Sequence, residues 1–277
     1  MSNFFNIPVC WNLCWSSARG FVFQFKKCQN KKTKIVRFDL GNMEHKNNFF
    51  ENREIFPSIT TISSNWREKI EEVRKLGLKE VCLFLTCLDI NERKELYGLL
   101  KKTKIERIPL VHLRSDMDSD ELDYLRRNYQ TEVFNTHTQR KHPFLHNLDK
   151  YRKIIYIENT SLPLNEEEVK NFAGVCLDIS HLEISRISDR ERYENDIEIL
   201  EKYPCGCNHI SAVKKIPVKK KNELKYDFHY LENLSDLDYL KRYPAKYFSS
   251  ILAIELENPI EEQLKAKNYI IDLLKNK

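Results

Sequence analysis

Along this chain, short apolar runs repeatedly end on an imidazole or a carboxylate. His112 and His137 each close such a run, Glu158 closes IYIE, and Asp178 closes GVCLD with His181 three residues further on. His209 sits near the end of CGCNHI, Glu255 closes ILAIE, and the pair Asp227-Phe-His229 lies between them. Five of the eight histidines stand at these positions. One polar residue at the end of an apolar run needs no explanation beyond a local hydrogen bond. A series of them does, because burying many ionisable groups without a compensating ion is costly. Imidazole nitrogen together with carboxylate oxygen suits Zn, Mn, Fe or Co. The nine candidate donors exceed what one ion requires. They would serve two or three ions that share bridging carboxylates.

The elements that must position these groups are legible from residue 57 onward. Residues 58–63 are β-branched and strand-like. They lead through Asn65, a candidate N-cap, into a helix over 66–76 that Gly77 ends. Strands are expected at 80–86, 108–113, 132–137, 153–158, 174–179, 206–212 and 250–255, and helices at 91–102, 119–129, 165–172, 190–202, 234–243 and 261–274. Strands that alternate with helices imply a parallel sheet, and eight of them predict closure into a (β/α)8 TIM barrel. An open doubly wound sheet would need a glycine-rich phosphate loop after its first strand, and the six glycines of this chain form none. In a barrel of this type the catalytic groups lie at the C-terminal ends of the strands, which is where the nine donors fall.

The domain reading is an N-terminal extension over residues 1–56 and a barrel over 57–277. The extension shows little periodicity, with a short strand expected at 35–40 and a linker at 49–57. It lacks the early positive charge and the unbroken apolar core of a signal peptide. Apolar residues at 41% and charged residues at 31% indicate a globular chain, and no apolar run is long enough to span a bilayer. The net charge of +5 comes from scattered lysines. The dense basic segment is 214–225, with six lysines, which reads as a mobile loop or, secondarily, a phosphate-contacting one. Cys82, Cys87, Cys176, Cys205 and Cys207 lie in or beside apolar runs, and no CxxC pair occurs. They read as small hydrophobes in a reducing cytoplasm.

The segments IYIENT (155–160), GVCLDISH (174–181), NHISA (208–212), DFH (227–229) and ILAIELENP (251–259) resemble the xylose-isomerase-like barrel superfamily. That superfamily includes sugar isomerases and epimerases and the endonuclease IV type of AP endonuclease (AP endonuclease family 2). The resemblance covers roughly residues 57–277. It implies a shared metal quartet at Glu158, Asp178, His209 and Glu255. The endonuclease IV pattern adds His112, His137, His181, Asp227 and His229, and all are present. By that resemblance His112, His137 and Glu158 would hold one zinc ion. Asp178, His209 and Glu255 would hold a second, with Glu158 bridging, and His181, Asp227 and His229 a third. The loops at 86–91 and 160–165 are shorter than those with which such endonucleases penetrate DNA.

Three functions follow as expectations. The first is metal-assisted hydrolysis of a phosphate ester, in abasic DNA or a smaller phosphorylated molecule. Glu158 or Asp178 would orient a water there, and Arg114, Arg140 or Lys214 would face the phosphate. The second is isomerisation or epimerisation of a sugar or sugar phosphate about one ion, with Glu158 and Glu255 moving a proton and His181 touching the substrate. The third is a non-catalytic metal-binding barrel. No membrane partner is expected. His142 and His146 read as solvated loop residues.

Overall fold

The computed structural model describes residues 49–220, 223–275 and 277, without the side chains of 215–228. Most of the expected N-terminal extension, including the strand at 35–40, lies outside the described residues.

The first barrel strand is broken by Pro57 into β1 (Glu54–Phe56) and β2 (Ser58–Thr60). β3 (Cys82–Phe84), β4 (Leu110–His112), β5 (Val133–Thr136), β6 (Ile155–Glu158), β7 (Val175–Asp178) and β8 (Cys205–Ile210) follow. A hairpin, β9 (Ala212–Lys220) and β10 (Glu223–Phe228), precedes the last barrel strand, β11 (Ile251–Ile254). Every barrel pairing is parallel, in the order β1-β11-β8-β7-β6-β5-β4-β3-β2.

The two edges of this sheet belong to one strand. Glu54 to Phe56 pair with Ile251 to Ala253, and Ser58 to Thr60 pair with Cys82 to Phe84. Proline has no N–H to give a ladder, and the chain changes hydrogen-bonding partner at Pro57. Its carbonyl accepts from the Cys82 N–H at 3.0 Å. Chain continuity through Pro57 therefore joins the edges into the expected eight-stranded α/β barrel. The stretch 49–57 is thus more than a linker, because Glu54–Phe56 supplies half of a barrel strand.

Successive strand residues face opposite sides. Ile55, Ile157, Leu177, Ile210, Leu252 and Ile254 join one buried cluster, and Ile59, Leu83, Val111, Phe134 and Ile155 join another. Both pack beneath helices. These are α1 (Trp66–Leu76), α2 (Ile90–Leu100), α3 (Ser119–Tyr129), α4 (Glu166–Lys170), α5 (Ile179–Ser188), α6 (Arg190–Lys202) and α7 (Ile260–Leu274). The alternate positions fill the barrel interior: Phe56, Cys82, Phe84, Leu110, Cys176, Cys207, Ile251 and Ala253, with Val133 and Tyr156 against them. Gly206 belongs to this layer's geometry, since a Cβ there would stand 2.1 Å from the Tyr156 ring.

Four local expectations change. The basic segment 214–225 is mostly antiparallel hairpin, with Lys220 opposite Glu223 and Val218 opposite Lys225. The segment after Asp178 turns at once into α5, ahead of the helix expected from 190. The helix expected at 234–243 is 3-10 over Leu234–Arg242. Asn65 precedes α1 without capping it through its side chain, which instead meets the Ser63 hydroxyl at 2.6 Å.

Candidate metal centre

The interior parity of each strand carries through to its C-terminal end. Leu110 and His112 share a face, as do Tyr156 and Glu158, Cys176 and Asp178, and Cys207 and His209. The inward side chains are hydrophobes and thiols low in the barrel and metal-type donors at its C-terminal mouth. Register then sets them side by side: Asp178 is opposite His209, and Ala253, two residues before Glu255, is also opposite His209.

Glu158 stands at the centre and is buried. Its Oε2 lies 2.9 Å from His112 Nε2 and 3.5 Å from His209 Nδ1, and its Oε1 lies 3.9 Å from His137 Nε2. The other oxygen set closes on the same imidazole, with Glu255 Oε2 3.3 Å from His209 Nδ1. Donor atoms of His112, His137 and Glu158 lie within 4.8 Å of one another, and so do those of Glu158, Asp178, His209 and Glu255.

Electrostatics follow from burial against proximity. Burial works against the charge of Glu158, yet His209 and His112 hold its carboxyl well below the usual range. Burial likewise opposes charge on His209, and the Glu158 and Glu255 carboxylates overcome it and raise the imidazole well above its ordinary value. Glu255 is lowered against its burial by His229 and His209. His137 is dominated by burial and is pushed down to about 4, so it is a neutral imidazole with a lone pair to give.

Neighbouring groups settle which atoms face inward. A carbonyl can only accept, so His112 Nδ1 donates to Leu113 O at 3.0 Å and turns Nε2 to the cluster. His229 Nδ1 donates to Glu255 O at 3.4 Å, with the same ring 3.7 Å from Glu255 Oε1. Asp178 is the N-cap of α5. Its Oδ1 accepts from His181 N at 2.9 Å and from Ser180 Oγ at 2.5 Å, and Oδ2 faces His181 Nε2 at 3.7 Å. Asn159 clamps the same turn, accepting from Asp178 N at 2.7 Å and donating to Asp178 O at 3.0 Å.

The donor set fits a divalent cation. Three carboxylates and three imidazoles converge, and His209 Nδ1 is buried between two carboxylates without a well-formed hydrogen bond. His112, His137, Glu158, Asp178, His209 and Glu255 are the expected residues that the structure gathers into these groups. His181 and His229 stand at the margin, beside Asp178 and Glu255. The side chain of Asp227 lies outside the described residues, and its backbone pairs with Val213.

The expected phosphate contacts are placed differently from one another. Arg114 is part-exposed and tied to Asp116 Oδ1 at 3.0 Å and Thr86 O at 3.3 Å. Arg140 donates to Pro163 O at 3.1 Å. Lys214 meets Glu232 at 2.7 Å and Asp236 at 3.2 Å, so its ammonium is neutralised by carboxylates. His142, expected in solvent, is exposed but has its ring 5.6 Å from that of His137.

Two participants escaped the sequence reading. Asn135 donates from Nδ2 to Glu158 Oε2 at 2.7 Å, and Cys176 Sγ lies 3.3 Å from His209 Nε2. The signal was parity: each stands two residues before a named donor on the same strand face.

Fold and cluster together define a parallel (β/α)8 barrel with an imidazole–carboxylate centre at its C-terminal mouth. No protein-family model and no curated protein sequence matches the chain. Among solved structures it is similar to endonuclease IV from Thermus thermophilus, at 14% identity over 79% of this chain and 99% of that one, with a TM-score of 0.40. It is also similar to an aldo-keto reductase from Bacillus halodurans in its holo form, at 13% identity over 81% and 93%, with a TM-score of 0.35. The fold class rests on the strand pairing itself. Among the described residues, no helix is long and apolar enough to cross a membrane.

Proposed function

We propose that this chain is a divalent-metal-dependent enzyme that hydrolyses a phosphate ester. The observation that carries the reading is the double membership of Glu158, whose carboxylate belongs both to the His112/His137 group and to the Asp178/His209/Glu255 group. A carboxylate shared in this way suits two neighbouring ions, and an isomerase working through one ion has no need of the His112/His137 pair. By the endonuclease IV pattern, His181, Asp227 and His229 would complete a third position. Nitrogen and oxygen donors favour zinc, with Mn, Fe or Co as other occupants.

Bound ions would supply charge for the phosphate oxygens and acidify a water. The protein's own groups do the rest. Asn135 holds Glu158 Oε2, and the α5 cap holds Asp178 Oδ1, so each carboxylate enters with one oxygen already fixed. Glu158 and Asp178 accept hydrogen bonds from the attacking water and orient it. Glu255 sets His209 from the opposite side. Arg114, on the loop that follows His112, is the phosphate contact we favour, with one carboxylate partner, Asp116, where Lys214 has two, Glu232 and Asp236. Five further lysines in 215–225, between His209 and His229 in the chain, favour a polyanionic substrate such as abasic DNA over a small phosphorylated molecule.

The test combines elemental analysis of unchelated protein with cleavage of an oligonucleotide that holds one abasic site, before and after chelation. Roughly two or three ions per chain and chelator-sensitive cleavage are expected. One exchangeable ion together with aldose–ketose interconversion would replace this reading by the isomerase.

A further inference from the structure

His112 and His209 present opposite ring nitrogens to the centre. For His112 a backbone carbonyl occupies Nδ1 and leaves Nε2 inward. For His209 the inward atom is Nδ1, and Nε2 points down into the barrel. What meets it there is the layer of Phe56, Cys82, Phe84, Leu110, Cys176, Cys207, Ile251 and Ala253. In that layer the sulfur of Cys176, 3.3 Å away, is the polar partner of Nε2. Both residues are completely buried. The Phe84 ring packs edge-on against the imidazole with centroids 4.8 Å apart, and the His112 ring lies at 5.7 Å.

We propose that Cys176 is a positioning residue for His209: its sulfur accepts the Nε2 hydrogen and thereby commits Nδ1 to an ion held with Glu158, Asp178 and Glu255. The inference rests on the metal reading of the centre. A ligating imidazole ordinarily gives its second N–H to a carbonyl, carboxylate or water, which fixes ring orientation and raises the basicity of the ligating nitrogen. A neutral thiol is a weak acceptor, but in this layer it stands in for the carbonyl that His112 has. The 3.3 Å separation is within hydrogen-bond range for sulfur. The sulfur also lies close enough to Glu158 and His209 to share an ion with them, and cadmium loading separates acceptor from ligand.

The experiment compares the full-length protein with Cys176→Ala and Cys176→Ser. Zn2+ affinity is read by competition with a chromophoric chelator, and the His209 ring nitrogens are read by 15N NMR with and without Zn2+. The alanine variant should bind roughly 10- to 100-fold more weakly. Serine, whose hydroxyl can accept, should recover most of the loss, a pattern that a merely space-filling role would not produce. In the loaded wild type, Nε2 should carry the proton and Nδ1 should not. Unchanged affinity in Cys176→Ala would overturn the proposal. So would a sulfur-to-cadmium charge-transfer band in Cd2+-loaded wild type that Cys176→Ser loses, since the sulfur would then be a ligand. If the wild type took up no ion, the metal reading would fail, and with it the commitment of Nδ1. The hydrogen bond would still be judged separately by whether the ion-free Nε2 resonance moves between wild type and Cys176→Ala.

Discussion

Glu158 Oε2 lies 2.9 Å from His112 Nε2 and 3.5 Å from His209 Nδ1, so one carboxylate oxygen joins imidazoles from two barrel strands that are not neighbours. Asn135 donates to that same oxygen at 2.7 Å. A shared donor is expected to be worth more than either set of donors that it joins. Glu158→Gln should abolish ion binding at both positions, whereas His137→Ala should lose one ion and keep the other. Ions per chain by elemental analysis distinguish the two. Retention of the full complement by Glu158→Gln would refute the shared role.

Arg93 is completely buried. Its guanidinium donates to Glu121 at 2.8 and 2.9 Å, to Asp116 at 3.1 Å and to Leu88 O at 2.9 Å. Asp116 also receives Arg114, so the loop after His112 is pinned from inside the helical layer. Removing one member of a buried ion pair leaves uncompensated charge and costs about 3–5 kcal/mol. Arg93→Met should lose stability on that scale in chemical denaturation, because Glu121 loses its cation while Asp116 keeps Arg114. A loss below about 1 kcal/mol, as for exposed pairs, would show the network to be dispensable.

Asp196 is buried. Its Oδ1 accepts from Leu164 N at 2.9 Å and Asn195 Nδ2 at 3.1 Å. Burial raises its pKa, against the hydrogen bonds that lower it. The folded state therefore holds the proton to higher pH than the unfolded chain does. The cost of ionising it is absent below the unfolded carboxylate value, grows as pH rises from there to the raised folded value, and is complete above it. Asp196→Asn keeps the accepting oxygen and removes the charge. Its melting temperature relative to wild type should increase from pH 4 to pH 7, and a constant difference would contradict the assignment.

Gly206 lies beneath the Tyr156 ring, where a Cβ would come within 2.1 Å. Overpacking of a filled interior costs typically about 1–3 kcal/mol. Gly206→Ala should fall in or above that range. Combining it with Tyr156→Ala should recover part of the loss, and a double-mutant cycle measures the coupling. Additive effects would mean that the ring is not the obstacle.

Much of the centre is written in the chain itself. Strand parity carries His112, Glu158, Asp178 and His209 to the inward face once the apolar runs are recognised, and the strand–helix alternation leads to eight strands. Helix α3 spans the expected residues, Ser119–Tyr129, and the structure adds Asp118 as its cap. Other features depend on partners distant in sequence. Residues 49–57 look like a linker because three strand residues carry little periodicity, and only Ile251 to Ala253 supply the ladder that makes Glu54–Phe56 a strand. The lysines of 214–225 hide a hairpin, because charge speaks for solvent exposure and is silent about cross-strand pairing. Asp178 reads as a ligand, but its second task, capping α5, appears only when the chain turns immediately after it. The sequence by itself determined which donors exist and which face of each strand they occupy, because parity is a local property of extended backbone. Only the tertiary structure decided that Glu158 serves two groups of imidazoles and that a thiol lies under His209, because those distances depend on how the barrel closes through Pro57.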